Sequence, residues 1–190
     1  MLSTVSVRDL ALTTTAAVVL AVLLRVFVVG VFSIPSHSME HTLMVGDHLL
    51  VSKLGLTFRD LERGDVIVFT MPDSIRGDAP DEAYIKRVVG LPGDTVYLSR
   101  LGITVNGTLL PNPPTSASTS PLPEGHTTTI VPDNSVFVLG DNRSNSWDSR
   151  FWGALPMDHI VGTAMMIYWS RDASDTSSAI RWERMFSMVH

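Results

Sequence analysis

The chain has 190 residues and no cysteine, so disulfides, thiolate zinc sites and a cysteine nucleophile are excluded together. A length of this kind suits one catalytic domain, alone or with a short anchor. The net charge of -5 argues against a nucleic-acid surface, which would be basic, and only 17% of the residues are charged.

In chain order, the first feature is an apolar stretch. Between Leu10 and Ile34 the sole charge is Arg25. A membrane span needs ~20 mostly apolar residues, and the run from Val5 through Leu24 meets that requirement if tilted. A guanidinium at the bilayer centre is costly, so Arg25 belongs near an interface and the helix is expected to end there. The following run, Val26 to Ser33, is β-branched and aromatic and reads as a strand. A cleaved secretory leader is the other reading of this stretch. Its apolar core would be shorter, ~7 to 15 residues, and would end at a small-residue cleavage site, which the passage into Ser33-Ile34-Pro35-Ser36 lacks. A retained anchor with a cytoplasmic N-terminus, suggested by Arg8, is the reading adopted.

Beyond Pro35 the pattern is mostly β. Short apolar segments recur at 48–51, 65–69, 95–98 and 135–139, separated by turn signals. Asn106-Gly107 between two apolar runs marks a hairpin. Residues 111–125 are rich in Pro, Ser and Thr and read as a surface loop, and residues 171–190 as a loosely held tail. The resulting division is an anchor over residues 1–27 and a catalytic β domain over 28–190.

Three segments can carry chemistry. The first is Ile34-Pro35-Ser36-His37-Ser38-Met39-Glu40-His41-Thr42-Leu43. Its paired serines, beside a proline that fixes the backbone, can supply a nucleophile and an oxyanion donor. Taken alone it also reads as a serine-rich turn. The second is Tyr84-Ile85-Lys86-Arg87-Val88-Val89-Gly90, which places a lysine inside an apolar strand. Burial disfavours the ammonium form, and a neutral amine can serve as a general base. Strand alternation sends only one of Lys86 and Arg87 inward, and an exposed Lys86 remains the alternative. The third runs from Gly140 to Gly153 and is dense in hydrogen-bonding groups, with Asp148 and Arg150 suited to an ion pair. Asp141, Asn142 and Asp148 are oxygen ligands, but their spacing lacks the alternating acidic pattern of a calcium loop, so neither a metal nor another cofactor is expected. His37 and His41 flank Ser38, but neighbours in one short turn rarely aim at each other, so neither is assigned as its base. His48, His126, His159 and His190 read as ordinary surface or core residues.

Taken together and in this order, the segments resemble bacterial type I signal peptidases. The resemblance covers Arg25, the block Ile34 to Met39, Arg63-Gly64-Asp65-Val66-Ile67-Val68, the block Lys86 to Asp94 and the block Gly140 to Gly153. It implies a signal-peptidase-like β-sheet catalytic domain behind one N-terminal transmembrane helix, single-pass in the plasma membrane and facing the extracytoplasmic side. It implies a serine endopeptidase that cleaves N-terminal signal peptides from exported preproteins after small residues, through a Ser/Lys acyl-enzyme. Ser38 would be the nucleophile and Lys86 its base. The Ser38 N–H and the Ser36 hydroxyl would hold the oxyanion, and Ser146 would orient the lysine amine. Asp141, Asp148 and Arg150 would support the loop, while Ile34, Pro35, Met39, Leu43, Tyr84 and Ile85 would line the substrate pocket. The implied partners are preprotein signal peptides and the lipid bilayer, with no nucleic acid. One position departs from the family pattern: a proline usually precedes Thr-Leu, where this chain has His41. Two other functions compete: a Ser/Lys protease that cleaves itself, and a non-catalytic membrane-tethered β module. An exposed Lys86, or one distant from Ser38, would favour the module.

Overall fold

The computed structural model describes residues 6–23, 25, 28–54, 59–77, 82–99, 102–110, 127–172 and 179–189. Helix α1 covers Val7–Leu23. Its side chains from Val7 to Val22 are all exposed, with Leu10, Leu12, Val18, Val19 and Leu20 each more than half open. Among the described residues no helix is long and apolar enough to cross a membrane. Strand β1 (Val29–Ser33) follows. The sequence predicts that helix gives way to strand at Val26, but Arg25 and Val28 are still helical, so the change comes a few residues later. Val26 and Phe27, assigned to that strand from sequence, lie outside the described residues.

The remaining strands are β2 (Asp47–Ser52), β3 (Val66–Thr70), β4 (Ala83–Gly90), β5 (Thr95–Ser99), β6 (Gly102–Val105), β7 (Thr108–Leu109), β8 (Thr127–Ile130), β9 (Ser135–Leu139), β10 (Leu155–Pro156) and β11 (Ile160–Ser170). They form two sheets with antiparallel pairings throughout, in the orders β1-β2-β11-β3-β4-β9-β10 and β7-β6-β5-β8. The 48–51, 65–69, 95–98 and 135–139 runs correspond to β2, β3, β5 and β9. At the β6–β7 hairpin both central residues have positive φ, 50° at Asn106 and 80° at Gly107, the combination that a two-residue turn of this sequence favours.

Strand β3 is covered on both sides. Val66 and Val68 join one apolar cluster with Ile34, Met39, Leu43, Leu49, Val51, Ile85, Ala164 and Ile167. Ile67 and Phe69 face a second cluster with Val88, Val136, Val138 and Leu155. This is the period-two alternation of a strand packed on both faces. A third cluster, including Val89, Val96, Leu98, Ile103, Phe137 and Leu139, joins residues of the two sheets. Strand β11 spans 11 residues and serves two neighbours, β3 through its first part and β2 through its second, with register shifts at its bulges.

The Pro/Ser/Thr-rich loop 111–125, His126 and His190 lie outside the described residues. So do positions 173–178 of the tail. Residues 179–189 are tied to the sheet rather than loose. The Phe186 N–H donates to Ile167 O, Ile167 N–H to Ser187 O and Val189 N–H to Met165 O. Two arginines of this segment reach Asp47, a contact between residues so far apart in the chain that composition does not announce it.

Candidate active site

Ser38 sits in a single 3-10 turn, His37–Met39, just after β1. The turn is anchored by its apolar residues: Met39 is buried, and the Leu43 N–H donates to Met39 O so that Leu43 also enters the core. On the opposite side, the loop after β9 grips it. Asn142 N–H donates to Ser38 O at 3.0 Å, and Asn142 Nδ2 to His37 O at 3.1 Å. The approach is so close that a Cβ on Gly140 would stand 2.5 Å from Ser38 O and 2.2 Å from Ser146 Oγ. Only a residue without a side chain fits there.

Lys86 lies in the middle of β4 and is 4% exposed. Its Nζ donates to Ser38 Oγ at 2.8 Å and to Ile85 O at 2.8 Å. Ser36 Oγ lies 3.3 Å from Ser38 Oγ. Burial pulls the Lys86 ammonium down from 10.5 to about 8, against the opposing pull of the Asp148 and Asp141 carboxylates. Burial therefore outweighs two nearby negative charges, whose fields are partly met by their own arginines. A neutral amine at this place can accept the hydroxyl proton of Ser38. Arg87, next along the strand, faces the other way. Its guanidinium is bidentate on Asp141, at 2.8 and 2.7 Å, and also donates to Gly64 O.

The loop from Gly140 to Gly153 is organised by a buried ion pair. Asp148 and Arg150 have fully buried side chains, with Nε to Oδ1 at 2.8 Å and Nη2 to Oδ2 at 2.9 Å. Asp148 Oδ2 also accepts from Gly140 N–H at 3.0 Å, and Arg150 Nη2 donates to Ser146 O at 3.3 Å. Asp141 accepts from Thr42 Oγ1 at 2.7 Å. Because Arg87 adjoins Lys86 and Thr42 follows Ser38 by four residues, this carboxylate links the two candidate reacting segments.

Beside Ser38 and Lys86 opens a cavity of about 210 Å³, walled by Ile34, Pro35, Met39, Ala83, Tyr84 and Ile85, with Glu82 and Trp147 also contributing. Most of its surface is apolar, and Ser36, Ser38 and Lys86 are part of its lining. A small aliphatic side chain fits such a space.

Comparisons with known proteins show the family. Residues 7–169 match the family described as "Signal peptidase, peptidase S26". The chain belongs to this family. It is 40% identical over 161 residues to a probable signal peptidase I-2 of Synechocystis, an alignment covering 85% of this chain and 72% of that one. It is 42% identical over 155 residues to a signal peptidase I of Leptolyngbya laminosa, covering 80% and 75%. It is 35% identical over 164 residues to a signal peptidase I of Bacillus caldolyticus, covering 80% and 86%. The chain is therefore a peptidase, and the site just described lies within the matched residues.

Measured against the residues expected from sequence, the geometry brings together Ser36, Ser38, Lys86, Ile34, Pro35, Met39, Tyr84 and Ile85, and places Asp141, Asp148 and Arg150 in the supporting loop. Two residues fall elsewhere. Leu43 does not line the cavity: it is wholly buried in the core, because its position four residues after Met39 turns it beneath the loop. Ser146 does not bond the lysine amine: its Oγ is buried without a hydrogen-bond partner, and the Lys86 Nζ bonds go to Ser38 and Ile85. Sequence reasoning missed Asn142 as a clasp on the nucleophile turn, Trp147 as a cavity wall and Arg143. Arg143 is 4% exposed, and its Nε donates to Gly140 O at 3.0 Å. Only the density of polar residues in 140–150 hinted at these contacts.

Proposed function

We propose that this chain is a membrane-anchored serine endopeptidase that removes signal peptides from exported preproteins, with Ser38 as nucleophile and Lys86 as general base. The observation that carries the reading is the 2.8 Å contact between Lys86 Nζ and Ser38 Oγ in a site where burial lowers the amine to about 8.

The chemistry follows from that contact. The unprotonated amine takes the Ser38 proton as Oγ attacks the scissile carbonyl carbon. The oxygen that becomes negative is met by the Ser36 hydroxyl and the Ser38 N–H, donors whose worth is greatest in a water-poor site. Collapse of the tetrahedral intermediate breaks the C–N bond, and the Lys86 ammonium gives its proton to the departing amine. The signal peptide is then esterified to Ser38. A water molecule, deprotonated by Lys86, hydrolyses the ester and frees the enzyme. The cavity beside Ser38 is apolar and suits an uncharged side chain, and the family resemblance implies small residues, such as alanine, one and three positions before the cut.

Helix α1 supports the placement. Its 17 residues extend about 25 Å at ~1.5 Å per residue. That falls short of the ~30 Å of a bilayer core, so the anchor is read from the apolar run Val5 through Leu24, of which this helix is the described part. Its side chains are exposed all round and apolar from Ala16 on, with Arg8, Asp9 and Thr13 to Thr15 in its first half, as in a helix that is not packed on the domain. The catalytic domain then lies on the extracytoplasmic side, where signal-peptide ends emerge.

The test is cleavage of a preprotein with alanines before the cut, assayed in detergent across pH. Ser38→Ala and Lys86→Ala should each abolish cleavage while the melting transition persists. Cleavage retained by Lys86→Ala and lost in His41→Ala would replace this reading with a Ser/His mechanism.

A further inference from the structure

The segment from Ser38 to Asp47 must hold the Ser38 hydroxyl in register with an amine on a different strand. Its restraints come from two directions. On the β4 side, Thr42 Oγ1 donates to Asp141, which is held by Arg87. On the opposite side the chain's last segment does the holding. Arg184 Nη2 donates to Thr42 O at 2.9 Å and to Asp47 Oδ2 at 2.6 Å, while its Nε donates to Asp47 Oδ1 at 3.2 Å. Arg181 adds a donor to Val45 O, another to Arg171 O at 2.6 Å, and a third from Nε to Ser170 Oγ at 3.0 Å. Asp47 is wholly buried and also accepts from Ser170 Oγ at 2.6 Å and Met44 N–H at 2.8 Å. At the end of the loop, Gly46 has φ +89°, and a Cβ there would stand 2.1 Å from Arg171 O. The backbones of the loop and of the strand leading to the last segment are thus in direct contact.

We propose that the C-terminal segment is part of the active-site machinery, with Arg184, assisted by Arg181, as a positioning residue that fixes the Ser38–Asp47 loop against the strand carrying Lys86. The inference rests on the Ser38/Lys86 reading above. Thr42 is the point of action. Its side chain is tied to the β4 side and its carbonyl to Arg184, so it is clamped between the two. The next residue back, His41, has φ +80°, a left-handed conformation that a non-glycine residue keeps only when its surroundings impose it. Release of the Thr42 carbonyl would let this turn relax toward negative φ, and Ser38, three residues upstream, would drift from the amine.

The experiment uses the full chain. Arg184→Met should lower kcat for preprotein cleavage by about 10- to 100-fold, the penalty for an ångström-scale misplacement, and leave KM within about twofold. A looser loop also admits water to Lys86, so the acid limb of the kcat/KM profile should move up from about 8 toward 10.5. A merely structural role would not move that limb. Arg184→Lys, which keeps the charge and loses the fork, should restore part of kcat and bring the limb partway back. Because Arg184→Met leaves Asp47 less compensated, Asp47→Asn combined with Arg184→Met is the second variant: it removes the buried pair whole and keeps a partner for Ser170. It should fold and show the same kcat loss and the same displaced limb. Wild-type kcat and an unmoved limb in the folded protein would overturn the proposal, as would an activity loss fully matched by a loss of folded protein. Cleavage retained by Ser38→Ala or Lys86→Ala would instead sink the dyad, a result that these arginine variants do not produce.

Discussion

Burying Lys86 carries a cost in stability that Lys86→Met should expose. In the folded protein the amine is held near 8, against 10.5 for an ordinary lysine. Below pH 8 the ammonium is charged in both states, and the folded state bears the full penalty of burying it, about 3 kcal/mol by the conversion of ~1.4 kcal/mol per tenfold change. Between pH 8 and 10.5 the unfolded chain holds more protons than the folded one, so wild-type stability rises with pH; above 10.5 the penalty is gone. Methionine fills nearly the same volume without a charge. It loses the bonds to Ser38 Oγ and Ile85 O, and the carbonyl left without its partner costs about 1 kcal/mol. The net expectation at pH 7 is a gain of about 2 kcal/mol, an inactive enzyme, and a gain that shrinks steadily as pH rises from 8 to 10.5. Denaturant melts of both proteins in detergent at pH 6, 7, 8, 9 and 10 measure this directly. A variant that is destabilised at pH 7, or a difference that does not depend on pH over that range, would refute the buried, lowered amine.

Ser36→Ala should remain folded and cleave about 100- to 1000-fold more slowly, since it removes one oxyanion donor and leaves the nucleophile and base in place; single-turnover cleavage reads this. Leu43→Ala should lower stability by about 2 to 5 kcal/mol, as a core truncation does, whereas a cavity-lining residue would alter substrate preference first; thermal melts set beside cleavage of preproteins with larger residues before the cut separate the two. His41→Pro should disrupt the nucleophile turn and depress both the melting temperature and cleavage, because proline is locked near a φ of about −65° and His41 sits at +80°. His41→Gly should keep both, and an unimpaired His41→Pro enzyme would show that the turn takes another course.

The strands were legible because their cause is local. The continuous apolar run in 65–69 announced a strand, and alternation around Ile85 and Val88 announced that Lys86 and Arg87 diverge, which they do. The Asn106-Gly107 turn declared its hairpin through two residues that tolerate positive φ. The order of the strands was not legible, since β11 inserts between β2 and β3 by pairings 91 to 123 positions apart in the chain. At the site, sequence pointed to Ser38 and Lys86, which do meet, but erred on Leu43 and Ser146, whose directions depend on a turn closed by Met39 O and on the crowding at Gly140. The tail was misjudged for the same reason. Arg184 meets Asp47 from 137 positions away, and a polar segment looks equally loose whether or not its arginines have buried partners.

Those partners also explain where this protein places its buried charge. Asp148–Arg150, Asp141–Arg87 and Asp47–Arg184 are each hydrogen-bonded at two points and buried wholly or in large part. Such pairs contribute little net stability, because desolvation offsets attraction, but they tolerate few geometries. All three border the Ser38 turn or the loop that covers it: one fixes Gly140, one ties Thr42 to the strand of Lys86, and one holds Thr42 O and Asp47. On the proposed reading, a lysine base needs this more than a histidine base would. A lysine side chain has four rotatable bonds, and an amine that must stay neutral cannot be oriented by a carboxylate of its own without being driven back to its charged form. Orientation has to come instead from packing and from two neutral partners, Ser38 Oγ and Ile85 O. The charges that steady the surrounding loops are accordingly paired off among themselves, which leaves the amine in a rigid pocket whose nearby negative fields are partly cancelled.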